Sequence, residues 1–211
     1  VVYIINPNNP VGYYVSPQAI QALAEKFPNT LFVLDEAYVE FVGFDATFVG
    51  GHREYDNIVI ARTFSKAFGL AGLRLGYIVS HRRNLAHVKK VRNGKNVSMM
   101  AQVAGKVLLD HLDEVKGHIE RVRQARSWFV ERLADAGIHA HSSQTNFVLV
   151  EVSQPQEAIV RLRERGVYIR DRSYIEGLEH CVRVSIGYRD QMEKVVEIFR
   201  AMPSEITAPP S

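Results

Sequence analysis

Through Val79 the chain alternates short apolar runs with a stretch of helical period. The runs are Val1–Ile5, Leu31–Leu34, Asn57–Ala61 and Tyr77–Val79, each of strand length. Between the first two, Ile20, Leu23, Ala24 and Phe27 recur at helical spacing behind Ser16-Pro17, an N-cap followed by proline at the first helical position. Such alternation predicts a mainly parallel α/β sheet, because parallel neighbours need a crossover and a helix is the usual one. From about Arg82 helix dominates. Met99–Leu112 and Val115–Ala136 read as helices, the second with Ile119, Val122, Trp128, Phe129 and Leu133 at helical core spacing until Gly137 stops it. A smaller α/β stretch follows, with strands near His139–His141, Thr145–Val152, Val167–Arg170 and Val182–Ile186 and helices over Gln156–Arg165 and Gln191–Met202. The expected organisation is a major domain over 1–81, a connecting helical region over 82–117, a small C-terminal domain over 118–202 and a flexible tail over 203–211.

Composition narrows the function classes. At 211 residues, 46% hydrophobic and 23% charged, the chain can bury a sizeable core without covalent staples. Its one cysteine, Cys181, excludes a disulfide framework and a multi-thiolate metal site and suits a reducing, cytoplasmic setting. No apolar run nears the roughly 18 residues of a membrane span. A net charge of +3 fits anionic small molecules but falls short of a nucleic-acid footprint, and the basic run from Arg82 to Lys95 reads as a solvated helix face. The chain opens on a strand already under way and without methionine, so a preceding segment is expected. His139-Ala140-His141 reads as strand surface before it reads as a metal site.

The chemistry gathers at strand ends. In open parallel sheets, ligands collect beyond the carboxyl ends of the strands. Here those ends carry Asn6-Pro7-Asn8-Asn9-Pro10-Val11-Gly12, then Asp35-Glu36-Ala37-Tyr38, then Thr63-Phe64-Ser65-Lys66, and all three should open onto one crevice. A lysine amine, a strand-end carboxylate, hydroxyls and a guanidinium are what pyridoxal 5'-phosphate requires, with its aldehyde, basic ring nitrogen and phosphate. Lys66 can supply the amine as a Schiff base, Asp35 the partner of the ring nitrogen, Ser65 and Thr63 hydroxyls for the phosphate, and Arg74 a planar fork for the same dianion. Asn9 and Tyr38 can hydrogen-bond the ring hydroxyl. Taken singly these residues are a turn, an N-cap and a surface lysine; their order and spacing give them meaning.

Those motifs, with Lys66-Ala67-Phe68-Gly69-Leu70-Ala71-Gly72-Leu73-Arg74-Leu75-Gly76-Tyr77 completing the third, resemble the class I/II, fold-type I aminotransferases, and among them the histidinol-phosphate aminotransferases. The resemblance runs from Val1 to about Met202 and implies the same roles for Asn9, Asp35, Tyr38, Ser65, Lys66 and Arg74. It also implies a substrate site. Arg183, in Cys181-Val182-Arg183-Val184-Ser185-Ile186-Gly187, takes the substrate carboxylate; Arg170, in Tyr168-Ile169-Arg170-Asp171, reaches a substrate phosphate; Asn146 lies beside the pocket. The reaction implied is a ping-pong transfer between an amino donor and a 2-oxo acid such as 2-oxoglutarate, with Lys66 as general base and acid, in a homodimer.

Two departures qualify the match. Where the histidinol-phosphate branch has a tyrosine in an Arg-Pro-Pro-Tyr-Asn-like stretch, this chain reads Arg92-Asn93-Gly94-Lys95-Asn96, so Lys95 replaces an aromatic wall with a cation and points to a smaller or more anionic substrate. The upstream segment that brings a further phosphate-binding turn, a stacking aromatic and an interface tyrosine in the family is not among these residues. Related phosphothreonine decarboxylases share the motifs, so decarboxylation of an O-phospho amino acid is the alternative reaction, and a non-catalytic remnant is the alternative to an enzyme.

Overall fold

The structure, a computed structural model, describes residues 1–92, 94 and 97–208. It forms two compact units, one from Val1–Asn9 and Tyr13–Ile119, the other from Pro10–Gly12 and Glu120 onward. In the first, strands β1 (Val2–Ile5), β2 (Phe32–Asp35), β3 (Ile58–Thr63) and β4 (Gly76–Ser80) make one sheet in that order. β1, β2 and β3 are parallel, in the register Ile5↔Asp35↔Ala61. Helix α1 (Pro17–Lys26) follows β1, and the Ser16 hydroxyl caps it by accepting from the Ala19 amide. Its Ile20 and Ala24 bury against Phe32 and Leu34 of β2, Ile58 and Ile60 of β3, and Phe48. These strand residues alternate and pair directly, Phe32↔Ile58 and Leu34↔Ile60, so one sheet face becomes core. Full burial stabilises each such side chain by about 1.5–3 kcal/mol. The register leaves Asp35 and Ala61 on the opposite face.

β4 departs from the parallel expectation: it runs antiparallel to β3. The cause is the connection. Phe64–Leu75 holds no crossover helix, only a 3-10 turn at Ala71–Leu73, and its base is closed by the Phe64 amide donating to the Leu75 carbonyl at 3.0 Å. A loop closed this way returns the chain beside the strand it left. Helix α2 (Arg82–Val91) has no buried residue, as a solvated basic face requires. α3 (Met99–Asp110) is capped by Ser98 and ends before Leu112, which opens α4 (Leu112–Ala134). On α3, Gly105 allows close approach to the third motif: a Cβ there would sit 2.5 Å from Leu75 Cδ2.

The second unit holds a three-stranded antiparallel sheet, order β5 (Phe147–Glu151), β7 (Cys181–Ser185), β6 (Arg170–Asp171). Helices α5 (Pro155–Glu164), α6 (Arg189–Arg200) and the short α7 (Ser204–Thr207) accompany it. α4 contributes Val122, Ala125, Phe129 and Leu133 as buried residues. Trp128 is beside that stripe and half-buried, with the Arg189 guanidinium 3.8 Å from its ring centre.

Three strands expected from the sequence are shorter than their apolar runs. After α5, Gly166 adopts φ 76° and the Val167 amide donates to Leu162, so the chain is still closing the helix and reaches β7 only at Arg170. After α4, Gly137 and Ile138 do the same, and His139–His141 makes a single bridge, Ala140↔Val150, in place of a strand. β5 starts at Phe147, whose amide and carbonyl are both bonded by the Thr145 hydroxyl.

Gly12 is held by this unit as well. Its φ is 82°, its carbonyl accepts from the Gln144 amide at 2.9 Å, and a Cβ would lie 2.7 Å from Ser143 Cβ. Gly12→Ala therefore combines left-handed backbone strain with overpacking, an expected loss of about 2–4 kcal/mol. Urea unfolding of the variant measures it, and a loss under about 1 kcal/mol would show that the Ser143 segment yields freely.

Candidate active site

The parallel register brings the carboxyl ends of β1, β2 and β3 level. Beyond them is a cavity of about 350 Å³ lined by Asp35, Ala37, Ala61, Arg62, Thr63, Ser65, Lys66 and Arg74. The second and third motifs thus meet in one place, as their position at strand ends predicts. The first joins them through Asn9, whose Nδ2 donates to the Tyr38 hydroxyl at 3.3 Å. Lys66 Nζ is 5.3 Å from the centre of the Tyr38 ring, a cation over an aromatic face.

Each polar group is fixed by short-range bonds. Asp35 Oδ1 accepts from the Ala37 amide at 3.1 Å, and Oδ2 accepts from the Tyr3 hydroxyl at 2.6 Å. The hydrogen bond to Asp35, with burial and the carboxylate's charge, pushes the Tyr3 phenol up to about 12, so at neutral pH Tyr3 is a donor. Thr63 Oγ1 accepts from the Ser65 amide at 3.0 Å and so braces the serine. Arg74 is the one non-glycine residue with positive φ among the described residues, at 53°, a conformation costing about 1–2 kcal/mol. Its Nη1 donates to the Ala71 carbonyl. Backbone strain concentrates where side-chain placement matters. Asn6, by contrast, is a structural residue, buried and exchanging hydrogen bonds with both backbone groups of Val15 at 2.7 and 2.8 Å.

Arg62, in the cavity wall, anchors a buried charge cluster that the sequence did not announce. Arg62 Nη2 is 2.7 Å from Glu40 Oε1 and Nη1 is 3.4 Å from Glu36 Oε2. Glu36 also accepts from the Phe48 amide at 2.7 Å and from the Thr47 hydroxyl. Burial pushes the Glu36 carboxyl up even so, because desolvation outweighs these donors and Arg62. Burial opposes the Arg62 charge too, but Glu40 and Glu36 outweigh it and hold the guanidinium above its ordinary value.

A model of the family described as aminotransferase class I and II matches residues 1–199. The chain belongs to that family. Among its relatives, a dihydroxyacetone phosphate transaminase of Campylobacter jejuni is 37% identical over 201 residues, which are 93% of this chain and 54% of that protein. A histidinol-phosphate aminotransferase of Sinorhizobium meliloti, solved in complex with pyridoxal-5'-phosphate, superposes with a TM-score of 0.86 at 31% identity, over 96% of this chain and 58% of that one. An L-threonine-O-3-phosphate decarboxylase of Porphyromonas gingivalis gives 0.82 at 29% identity, over 93% and 62%. The chain spans about half the length of the curated relatives it matches. The fold is that of a fold-type I enzyme of the aminotransferase family, a group that uses pyridoxal phosphate.

The nominated substrate residues lie in the second unit. Arg170 of β6 and Arg183 of β7 are direct antiparallel partners, so both side chains stand on one sheet face. Arg183 Cζ lies 4.9 Å from the centre of the Phe147 ring, and Asn146, just before β5, accepts through its carbonyl from the Ile186 amide at 2.8 Å. Lys95 falls outside the described residues. A larger cavity in the same unit, about 730 Å³ between α4 and α6, is lined by Arg121, Gln124, Tyr188 and Arg189 among others and includes none of the nominated residues.

Neither Tyr3 nor Arg62 stands out as a site residue in the sequence. Tyr3 pairs with Val33 while Ile5 pairs with Asp35, so Tyr3 shares the Asp35 sheet face two residues away. That signal exists only once the register is known.

Proposed function

We propose that this chain moves an amino group between a small phosphorylated or otherwise anionic amino compound and a 2-oxo acid, with pyridoxal 5'-phosphate as cofactor and as a homodimer. The observation that carries the proposal is the convergence of Asp35, Ser65, Lys66 and Arg74 on one cavity. Their donor set fits the cofactor: an amine, a carboxylate held by two donors, a hydroxyl and a guanidinium. When bound, the cofactor supplies an aldehyde that takes up amines and a ring that draws electrons from the substrate α carbon. Lys66 would be the attachment point for the cofactor's aldehyde, and its free amine would hold and move the α proton as general base and then acid. Asp35, oriented by Tyr3 and the Ala37 amide, would keep the proton on the ring nitrogen. Ser65, braced by Thr63, and Arg74 hold the phosphate, while Asn9 and Tyr38 hydrogen-bond the ring hydroxyl.

For the substrate, Arg183 receives a carboxylate or equivalent anion and Arg170 a phosphate. Histidinol phosphate and a three-carbon phosphate such as dihydroxyacetone phosphate are the chemistries suggested by the relatives, and Lys95 in place of a tyrosine favours the smaller one. The test is a half-reaction screen of phosphorylated and unphosphorylated amines, followed by the cofactor spectrum. Arg170→Ala is expected to lower kcat/KM for phosphorylated donors about 10²-fold, roughly the 2–5 kcal/mol of a charge-assisted contact, and to leave unphosphorylated donors nearly unchanged. Equal losses for both would remove the phosphate role. Decarboxylation is supported by the likeness to the Porphyromonas gingivalis enzyme. Carbon dioxide released from O-phosphothreonine without any 2-oxo acid would decide for it.

A further inference from the structure

His139, His141 and Glu151 take no part in the site above, yet the fold of the second unit gathers them. The bridge Ala140↔Val150 is flanked by two backbone bonds, the His141 amide to the Leu149 carbonyl and the Glu151 amide to the His139 carbonyl, both 2.9 Å. In an extended segment, residues two apart face the same side. The two imidazoles therefore stand together, ring centres 4.9 Å apart and edge to face at 81°, and Glu151 arrives beside them from the neighbouring strand. One nitrogen from each histidine and one carboxylate oxygen all lie within 4.8 Å of one another.

The detail that decides the reading is at His141. Its Nε2 is 2.8 Å from Glu151 Oε1, but the nitrogen is shielded from solvent and makes no properly directed hydrogen bond. Distance and direction disagree, and direction matters more, because a hydrogen bond weakens steeply off its axis. Two ligand-type atoms held this close without a directed hydrogen bond between them can serve one ion together. Tetrahedral zinc with bonds of about 2.0–2.2 Å sets adjacent ligands about 3.3 Å apart. His139 is exposed, so its ring can turn to close the widest separation without disturbing the core.

We propose that His139, His141 and Glu151 bind one divalent transition-metal ion of the zinc type, with water completing the coordination. Two imidazoles and a carboxylate select a borderline ion over calcium or magnesium, which take oxygen ligands. The ion sits on β5, the outer strand of its sheet, and joins to it a segment otherwise attached through one bridge. Its role is that of a staple.

The test uses the untagged, chelator-treated chain without cofactor, titrated with zinc chloride by calorimetry and with cobalt chloride by absorbance. One ion per chain is expected, with a tetrahedral cobalt spectrum and a higher unfolding temperature. His141→Ala and Glu151→Gln should each weaken binding by at least about tenfold, since the loss of even an outer partner costs 10–100-fold. The double variant His139→Ala/His141→Ala should lose both saturable binding and the thermal shift, while His87→Ala, on exposed α2, keeps them. No saturable binding by the unaltered chain, or binding that survives in the double variant, overturns the proposal. Circular dichroism confirms that each variant is folded.

Discussion

Lys66→Ala is expected to lower the turnover of amino transfer by at least about 10⁴-fold, equivalent to about 5.5 kcal/mol of barrier. The residue is asked to do two things, to hold the cofactor covalently and to carry the α proton, and alanine does neither. Lys66→Arg should be as inactive, although it keeps the charge and most of the length, because a guanidinium does not deprotonate in the working range and cannot act as the amine. Stability should barely change. Lys66 is half-buried and its ammonium stands over the Tyr38 ring, 5.3 Å from its centre, so denaturant midpoints should move by less than about 1 kcal/mol equivalent. Borohydride reduction followed by peptide mass analysis should find the cofactor on Lys66 in the unaltered chain and nowhere in either variant. An adduct on another lysine, or turnover retained by Lys66→Ala, would refute the assignment.

Much of this was legible in the sequence because the physics was local. Phe32 and Leu34, then Ile58 and Ile60, alternate because one sheet face is core, and a period of two is visible in a single strand. Ser16-Pro17 is a helix start whatever surrounds it. The roles suggested for Asp35, Ser65, Lys66 and Arg74 could be read from motif order, since strand ends in parallel sheets place their residues at one edge. What stayed hidden was pairwise. An apolar run such as Tyr77–Val79 has no direction, so the antiparallel course of β4 appears only with the closed Phe64–Leu75 loop. Val167–Ile169 and His139 have strand composition, yet they follow helix ends that are still being closed by the Val167 and Ile138 amides, so pairing starts late and stays short. The opposed Arg170 and Arg183, and Tyr3 beside Asp35, depend on register, which a lone strand does not encode.

Glu36, Glu40 and Arg62 were hidden for a different reason. Charged residues are almost never fully buried unless paired, and nothing in the sequence says that these three are paired. Their burial makes the second large prediction. The Glu36 and Glu40 side chains are each 2% exposed and that of Arg62 is 8% exposed, so water screens them little. Arg62→Leu would keep much of the volume and leave two carboxylates in the interior without their cation. Breaking a buried pair from one side costs about 3–5 kcal/mol, and that loss is expected in urea unfolding at pH 7. The pH dependence fixes the cause. The Glu36 carboxyl is already held above its ordinary range by burial, and without Arg62 it rises further. A carboxyl raised in the folded state binds its proton more readily there than in the unfolded chain. Its contribution is therefore fully present below the unfolded value of about 4.5 and is lost as pH rises through the folded value. The deficit of Arg62→Leu should thus shrink between pH 7 and pH 5, and adding Glu36→Gln should recover part of it at pH 7. A deficit independent of pH would assign the loss to packing. Since Glu36 follows Asp35 directly and Arg62 lines the same cavity, the variant should also bind the cofactor less tightly, in proportion to how far the end of β2 relaxes.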